Sequence, residues 1–150
     1  MRLMRQDTRW SCVAFSFAMA FDIDIKVFYN LLGHDGSEIL FSDLPEPYCR
    51  RSFHPQEFFW VGRKLGYHVI TVELTPILSP DNNIEWPVPI KCLDFVQLLH
   101  NNIGVFTGSG VRTRHAVAWN GQKIYDPNGM IYEFAHPNFT PEVFYLILKS

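Results

Sequence analysis

The chain has 150 residues, of which 47% are hydrophobic and 19% charged, which is typical of a folded domain and excludes intrinsic disorder. With 13 Lys and Arg against 15 Asp and Glu, it lacks the clustered positive charge that nucleic-acid binding requires. No apolar run approaches the roughly 20 residues that cross a bilayer, so we expect neither nucleic acid nor membrane as a partner.

The N-terminal segment has the outline of a secretory signal. Three arginines precede the apolar run of residues 12–21, which contains the small-x-small pattern Ala18-Met19-Ala20. Asp7 and Trp10 interrupt the basic part, however, and this is unlike a signal peptide. We interpret the segment as a buried helix and expect a cytoplasmic protein, or one delivered into a target cell.

Two helices are predicted first. Ser11 is a suitable N-cap for a helix over residues 11–21. That helix is apolar nearly all round, with Val13, Phe17 and Phe21 on one face, which predicts a place in the middle of the protein. A second helix is expected over residues 25–32, because Gly33 provides a C-terminal stop.

The rest of the chain alternates loops with strands. We predict a surface loop over 34–53, a helix over 55–65, a strand over 67–74, a proline-rich irregular stretch over 76–89, a helix over 91–101, and strands over 103–107 and 143–149. Helices that precede mainly antiparallel strands indicate one α+β domain spanning residues 1–150.

A β-hairpin is the clearest local signal. The dipeptide Asn120-Gly121 lies between two strand-like runs and favours a two-residue turn. If Trp119 then opposes Gln122, counting back along both strands places His115 opposite Asp126. Opposed side chains share a sheet face with Cβ atoms about 5 Å apart. The sequence therefore predicts a His–Asp pair, in which the carboxylate sets the orientation of the imidazole.

The three cysteines are the candidate nucleophiles. Their odd number and scattered spacing favour free thiols, and no Cys-x-x-Cys pair or histidine spacing predicts a metal site; no cofactor is expected. Cys12 lies in the first turn of the buried helix, where the helix N-terminus stabilises a thiolate. Cys49 has arginine neighbours but no helix start or base, and Cys92 has no glutamine at a matching distance.

Two short blocks, residues 6–18 and 115–134, carry a resemblance to a known family. The first contains Gln6 and Ser11-Cys12-Val13-Ala14-Phe15-Ser16. The second contains His115-Ala116-Val117-Ala118 with Gly121, and Tyr125-Asp126-Pro127-Asn128-Gly129 with Phe134. Together they resemble papain-like cysteine proteases, in the Cys–His–Asp branch that includes bacterial effector proteases and bacteriocin-leader peptidases. Val13 departs from the Trp or Gly that is usual after the nucleophile. Because no Asn-Ser-Trp-Gly segment is present, the third triad member would be Asp126.

The resemblance implies a papain-like α+β fold whose central nucleophile helix packs on an antiparallel sheet. It also implies that a Cys12 thiolate attacks a carbonyl carbon, that His115 protonates the leaving amine, and that Asp126 orients His115. The Gln6 side-chain amide and the Cys12 backbone N–H would donate to the oxyanion. The expected function is a cysteine peptidase that hydrolyses a peptide or isopeptide bond of a protein or peptide substrate.

Two other functions remain open on the sequence. The same triad would serve a transglutaminase, deamidase or acyltransferase, because these pass through similar thioesters. The fold would also serve as a catalytically inactive binding module. Arg112 and Arg114 flank the histidine block and either select an acidic substrate or are simply solvated.

Overall fold

A computed structural model describes residues 1–40, 42–45, 50–74, 99–134 and 136–150. In these residues the helices are α1 (Cys12–Phe21), α2 (Ile25–Leu32) and α3 (Pro55–Lys64). The strands are β1 (Ile39–Leu40), β2 (Arg50–Arg51), β3 (Tyr67–Glu73), β4 (Ile103–Ser109), β5 (Arg114–Trp119), β6 (Ile124–Asp126), β7 (Met130–Tyr132) and β8 (Thr140–Lys149). The predicted irregular stretch 76–89, most of the predicted helix 91–101, Cys49 and Cys92 lie outside the described residues.

The helix boundaries follow from local capping. α2 has the predicted limits, because the Asp24 carboxylate accepts from the Lys26 amide at 2.8 Å and Gly33 takes up the left-handed conformation at φ 85°. α1 begins one residue later than predicted. Ser11 is its N-cap residue but makes no side-chain cap bond, because its hydroxyl donates to the Thr8 carbonyl oxygen at 3.1 Å.

Six described strands form one sheet in the order β3-β8-β4-β5-β6-β7, and every neighbouring pair is antiparallel. The strands β1 and β2 form a short ribbon inside the stretch that was predicted to be loop. The helices and this antiparallel sheet make the fold α+β, so the predicted fold class is confirmed.

The sheet is covered on both faces. α1 is buried almost throughout, as predicted, and packs against Val105 and Ala116 on one face. The next residues along the same strands, Phe106 and Val117, belong to a second apolar cluster on the other face. In the described part of the chain, no helix has the length and apolarity needed to cross a membrane.

The hairpin between β5 and β6 has a different register from the predicted one. Trp119 pairs with Ile124 rather than with Gln122, a shift of two residues. The cause is Asn120, whose backbone N–H donates to the Lys123 carbonyl oxygen at 3.2 Å while its side-chain oxygen accepts from the Lys123 amide at 2.7 Å. Asn120 therefore closes the hairpin as a paired residue instead of occupying the turn.

Candidate active site

Cys12 is the first residue of α1 and is partly exposed. At this position the first backbone N–H groups of the helix have no intrahelical acceptor, which makes the site favourable for negative charge. The side chain lines a cavity of about 480 Å³ that lies between α1, α3 and the sheet. Cys12 is thus a thiol that is both placed at a helix start and open to a ligand.

His115 lines the same cavity as Cys12, and its side chain is 11% exposed. Its Nε2 donates to Asp126 Oδ1 at 2.8 Å and lies 3.5 Å from Asn128 Nδ2, and the Cys12 side chain is near enough to influence the pKa of the imidazole. Because Nε2 is bonded to the carboxylate, Nδ1 is the ring nitrogen that is left to interact with the thiol. The structure therefore brings Cys12, His115 and Asp126 into one cluster, with the imidazole between the thiol and the carboxylate.

Asp126 is buried, and both of its carboxylate oxygens accept hydrogen bonds. Besides the bond from His115, Oδ1 accepts from the Asn128 amide at 2.8 Å, and Oδ2 accepts from the Tyr132 hydroxyl at 2.6 Å. Burial alone would raise the pKa of Asp126, but these donors outweigh it and hold that pKa below its usual range. The carboxylate is therefore ionised and fixed in orientation.

The ionisation of His115 follows from the same contacts. Burial works to lower the pKa of the imidazole, whereas the interactions with Asp126 and Cys12 raise it, with a net result of about 9. The ring is consequently an imidazolium at neutral pH. An imidazolium next to a thiol is the arrangement that supports a thiolate nucleophile.

His115 and Asp126 are in contact as expected, although the predicted hairpin register was wrong by two residues. Continued from Trp119–Ile124, the observed register places Asn128 opposite His115, and Asp126 lies two residues from Asn128 on the same face. A shift of two residues preserves the face of every side chain, whereas a shift of one would have moved Asp126 to the other side. Diagonal neighbours on one face are within reach of a long side chain.

Gln6 lies beside the site but not in the cavity that Cys12 lines. Its backbone N–H donates to the Pro127 carbonyl oxygen at 2.7 Å, which ties the N-terminal segment to the turn after Asp126. Its Nε2 donates to the Thr8 carbonyl oxygen at 2.8 Å, and its Oε1 is buried without a hydrogen-bond partner among the described residues. The oxyanion role of Gln6 stays a prediction.

Tyr132 is the residue that sequence reasoning missed. Its hydroxyl is buried against Asp126, and strand pairing places Tyr132 opposite Ile124 and Met130 opposite Asp126. The available signal was the sequence Pro127-Asn128-Gly129, which marks a turn and sets this register. Counting across that turn would have put Tyr132 on the face of Asp126.

The remaining candidates have other partners. Arg114 forms an ion pair with Glu142, whereas Arg112 lines a second cavity of about 270 Å³ together with His115 and Asn128. Away from this site, His34 Nε2 forms a hydrogen bond with the carboxylate of Glu57 in α3. Within the described ranges, no three His, Cys, Asp or Glu side chains converge as ligands for a metal ion.

Comparison with known proteins bears on the fold. No family model matches this chain, and no curated protein matches it. Among solved structures it is similar to the peptidase domain of Streptococcus ComA, a bi-functional ABC transporter involved in a quorum-sensing pathway, with a TM-score of 0.54 and 11% sequence identity. The likeness covers 99% of this chain and 98% of that one, so the two share a fold.

Proposed function

We propose that this chain is a cysteine peptidase that hydrolyses a peptide or isopeptide bond with Cys12, His115 and Asp126. The observation that carries the proposal is the position of His115 between a half-buried thiol and a buried carboxylate. The fold adds support, because the ComA domain that shares it is itself described as a peptidase.

Acylation requires the Cys12 thiolate as nucleophile and the protonated His115 as acid. The Cys12 thiolate attacks the substrate carbonyl carbon, and a C–S bond forms while the carbonyl oxygen takes negative charge. The C–N bond then breaks, and the proton on His115 Nδ1 passes to the leaving amine. In this mechanism the backbone N–H of Cys12, at the start of α1, donates to the oxyanion; loss of such a donor typically costs about 2.7–4 kcal/mol in the barrier.

Deacylation reverses the proton movement. Neutral His115 removes a proton from water, the resulting hydroxide attacks the thioester carbon, and the C–S bond breaks to return the thiolate. Asp126 keeps Nε2–H engaged throughout, so that Nδ1 remains the nitrogen available to substrate and water. The complete cycle consumes one water molecule per bond cleaved and regenerates the enzyme.

Thiol labelling combined with cleavage of a peptide library tests this function. We expect iodoacetamide at about pH 6 to label Cys12 faster than Cys49 and Cys92, because Cys12 lies at a helix start beside the His115 ring. Labelling and cleavage should disappear in Cys12→Ala, and both should persist in the matched variants Cys49→Ala and Cys92→Ala. Equal, slow labelling of all three thiols, or cleavage by Cys12→Ala, would overturn the proposal.

A further inference from the structure

Ser52 has a backbone conformation that is unfavourable for a serine. Its φ angle is 102°, in a region that glycine adopts easily and that residues with a Cβ atom rarely adopt. In the described part of the chain, the other non-glycine residues with a positive φ are Asp22 at 58° and Asn101 at 65°, and Asp and Asn tolerate these left-handed values. Ser52 is therefore more strained than either, and such strain persists only where surrounding contacts impose it.

Hydrogen bonds from its backbone and its side chain hold Ser52 in this conformation. Its backbone N–H donates to the Gly36 carbonyl oxygen at 3.0 Å, and its hydroxyl donates to the Trp10 carbonyl oxygen at 2.8 Å. The indole of Trp10 is held by the same loop as Ser52, because its Nε1 donates to the Asp35 carbonyl oxygen at 3.3 Å. Ser52 thus joins the segment before α1 to the loop that follows α2.

These contacts lie at the wall of the cavity that contains Cys12. Trp10, Ser52 and Phe53 are among the residues that line that cavity. The packing behind the wall is tight, since a Cβ atom on Gly36 would lie 2.8 Å from the Phe53 ring and 3.2 Å from the Trp10 ring. A change at Ser52 is therefore transmitted to Trp10, because little free space is present to absorb it.

Trp10 precedes Cys12 by two residues, so its carbonyl group lies where the chain enters α1. The intervening Ser11 is fully buried, and its carbonyl oxygen accepts from the Phe15 amide at 2.9 Å as the first hydrogen bond of the helix. Because the C=O and N–H groups of a trans peptide point in opposite directions, this bond directs the Cys12 N–H away from the helix. Consecutive peptide groups are thus fixed, one by Ser52 and the next by the helix.

Resting on the proposed peptidase function, we infer that Ser52 is a positioning residue that fixes the entry of the chain into α1. Its hydroxyl holds the Trp10 carbonyl group and thereby orients the Cys12 N–H that donates to the oxyanion. Glycine would adopt the same φ without strain, but it would lack the hydroxyl. The strain at Ser52 is the consequence of placing a hydroxyl group at this point of the backbone.

Two substitutions separate the hydroxyl from the strain. Ser52→Gly removes both, whereas Ser52→Ala removes the hydroxyl and keeps the strained backbone. On a peptide that the wild type cleaves, we expect kcat and kcat/KM of both variants to fall by the same factor, about 10- to 100-fold, while KM stays unchanged. The reason is that the oxyanion, to which the Cys12 N–H donates, forms in the transition state and is absent from the bound substrate.

Stability measurements distinguish positioning from general destabilisation. Ser52→Gly should unfold at a higher urea concentration than Ser52→Ala, because only glycine relieves the strain, yet the two variants should be equally slow. Asp22→Gly is the matched control, since Asp22 also has a positive φ but lies at the end of α1 that is remote from Cys12. It should cleave the peptide at the wild-type rate.

Three kinetic outcomes would overturn the inference and leave the peptidase proposal standing. The first is a wild-type kcat in Ser52→Gly. The second is a rate that follows stability, with Ser52→Gly clearly faster than Ser52→Ala. The third is a raised KM at unchanged kcat, which would make Ser52 a substrate contact instead of a positioning residue.

Iodoacetamide labelling of Cys12 provides a readout that does not need turnover. We expect labelling to be slower in both Ser52 variants and unchanged in Asp22→Gly, because the thiol is carried by the residue whose entry into the helix has been loosened. If the wild type cleaves no peptide, the peptidase proposal fails, while these labelling rates still decide the role of Ser52. Labelling of Ser52→Gly at the wild-type rate contradicts the inference whatever the activity.

Discussion

At the scale of single residues, the site depends on how completely Asp126 is held. His115 and the Asn128 amide share Oδ1, and Tyr132 takes Oδ2. A buried carboxylate that lacked these donors would carry a desolvation penalty and would be protonated more readily. Tyr132 is thus a positioning residue, which acts on the imidazole through the carboxylate and does not line the cavity that contains Cys12.

Tyr132→Phe isolates that contribution. Without the hydroxyl, we expect the pKa of Asp126 to rise and the free energy of unfolding to fall by about 1.5–3 kcal/mol, the usual contribution of a hydrogen bond to a charged group. The measurements are carboxyl ¹³C titration by NMR and urea unfolding. Tyr125→Phe is the control, because Tyr125 is not among the donors to Asp126. An unchanged Asp126 titration in Tyr132→Phe would contradict this assignment.

At the scale of elements, the end of β4 positions the histidine. Gly108 pairs with His115 of β5 on one side and with Pro141 of β8 on the other, at a register shift between Thr107 and Gly108. A Cβ atom on Gly108 would collide with the Thr140 carbonyl oxygen. The absence of a side chain here allows β8 to approach β4 beside the site, which is a common role of glycine at an irregular strand position.

Gly108→Ala should therefore disturb both stability and the site. We expect a loss of about 1–3 kcal/mol in unfolding free energy, as for other overpacked positions, together with slower iodoacetamide labelling of Cys12. Gly104→Ala is the matched control, because a Cβ there meets the Phe144 ring and the Tyr145 carbonyl oxygen at the opposite end of β4. It should cost stability while Cys12 labels at the wild-type rate. Wild-type labelling by Gly108→Ala would show that this end of the strand does not position His115.

At the scale of the whole molecule, the His115–Asp126 pair links folding to pH. The pKa of His115 rises from 6.5 to about 9 on folding, so its stabilising effect is full below about pH 6.5 and is lost as the pH rises through 9. The pKa of Asp126 falls below 3.8, so its effect is present above that pH and is lost as the pH falls further. Their joint contribution is greatest between these limits.

Urea unfolding across the pH range tests this linkage. We expect the free energy of unfolding of the wild type to be highest between about pH 4 and 6.5 and to decline towards pH 9.5. In His115→Gln the alkaline decline should be much weaker, because the group whose pKa rises on folding has been removed. A wild-type curve that stays level from pH 6 to 9.5 would show that His115 does not titrate differently in the folded and unfolded states.

The sequence by itself determined the features that depend on neighbours along the chain. Asp24 and Gly33 set the limits of α2, because a cap bond and a left-handed residue act within one turn. The likeness of the blocks around Cys12, His115 and Asp126 to one family pointed to the α+β fold of the structure, which the ComA peptidase domain shares. Side chains alternate between the two faces along a strand, so an error of two residues in the hairpin register leaves every side chain on its correct face. The sequence therefore placed His115 and Asp126 on one face even though the predicted turn was wrong.

Only the tertiary structure decided which groups complete the site. Asn120 moved the turn by bonding to Lys123, Tyr132 reached Asp126 across a second hairpin, and Gln6 was tied to Pro127 outside the cavity of Cys12. In each case a polar group had more than one possible hydrogen-bond partner, either at the same turn or far away in the chain. The partner that forms depends on the packing of the whole fold, since a buried polar atom can bond only to groups that neighbouring elements place next to it.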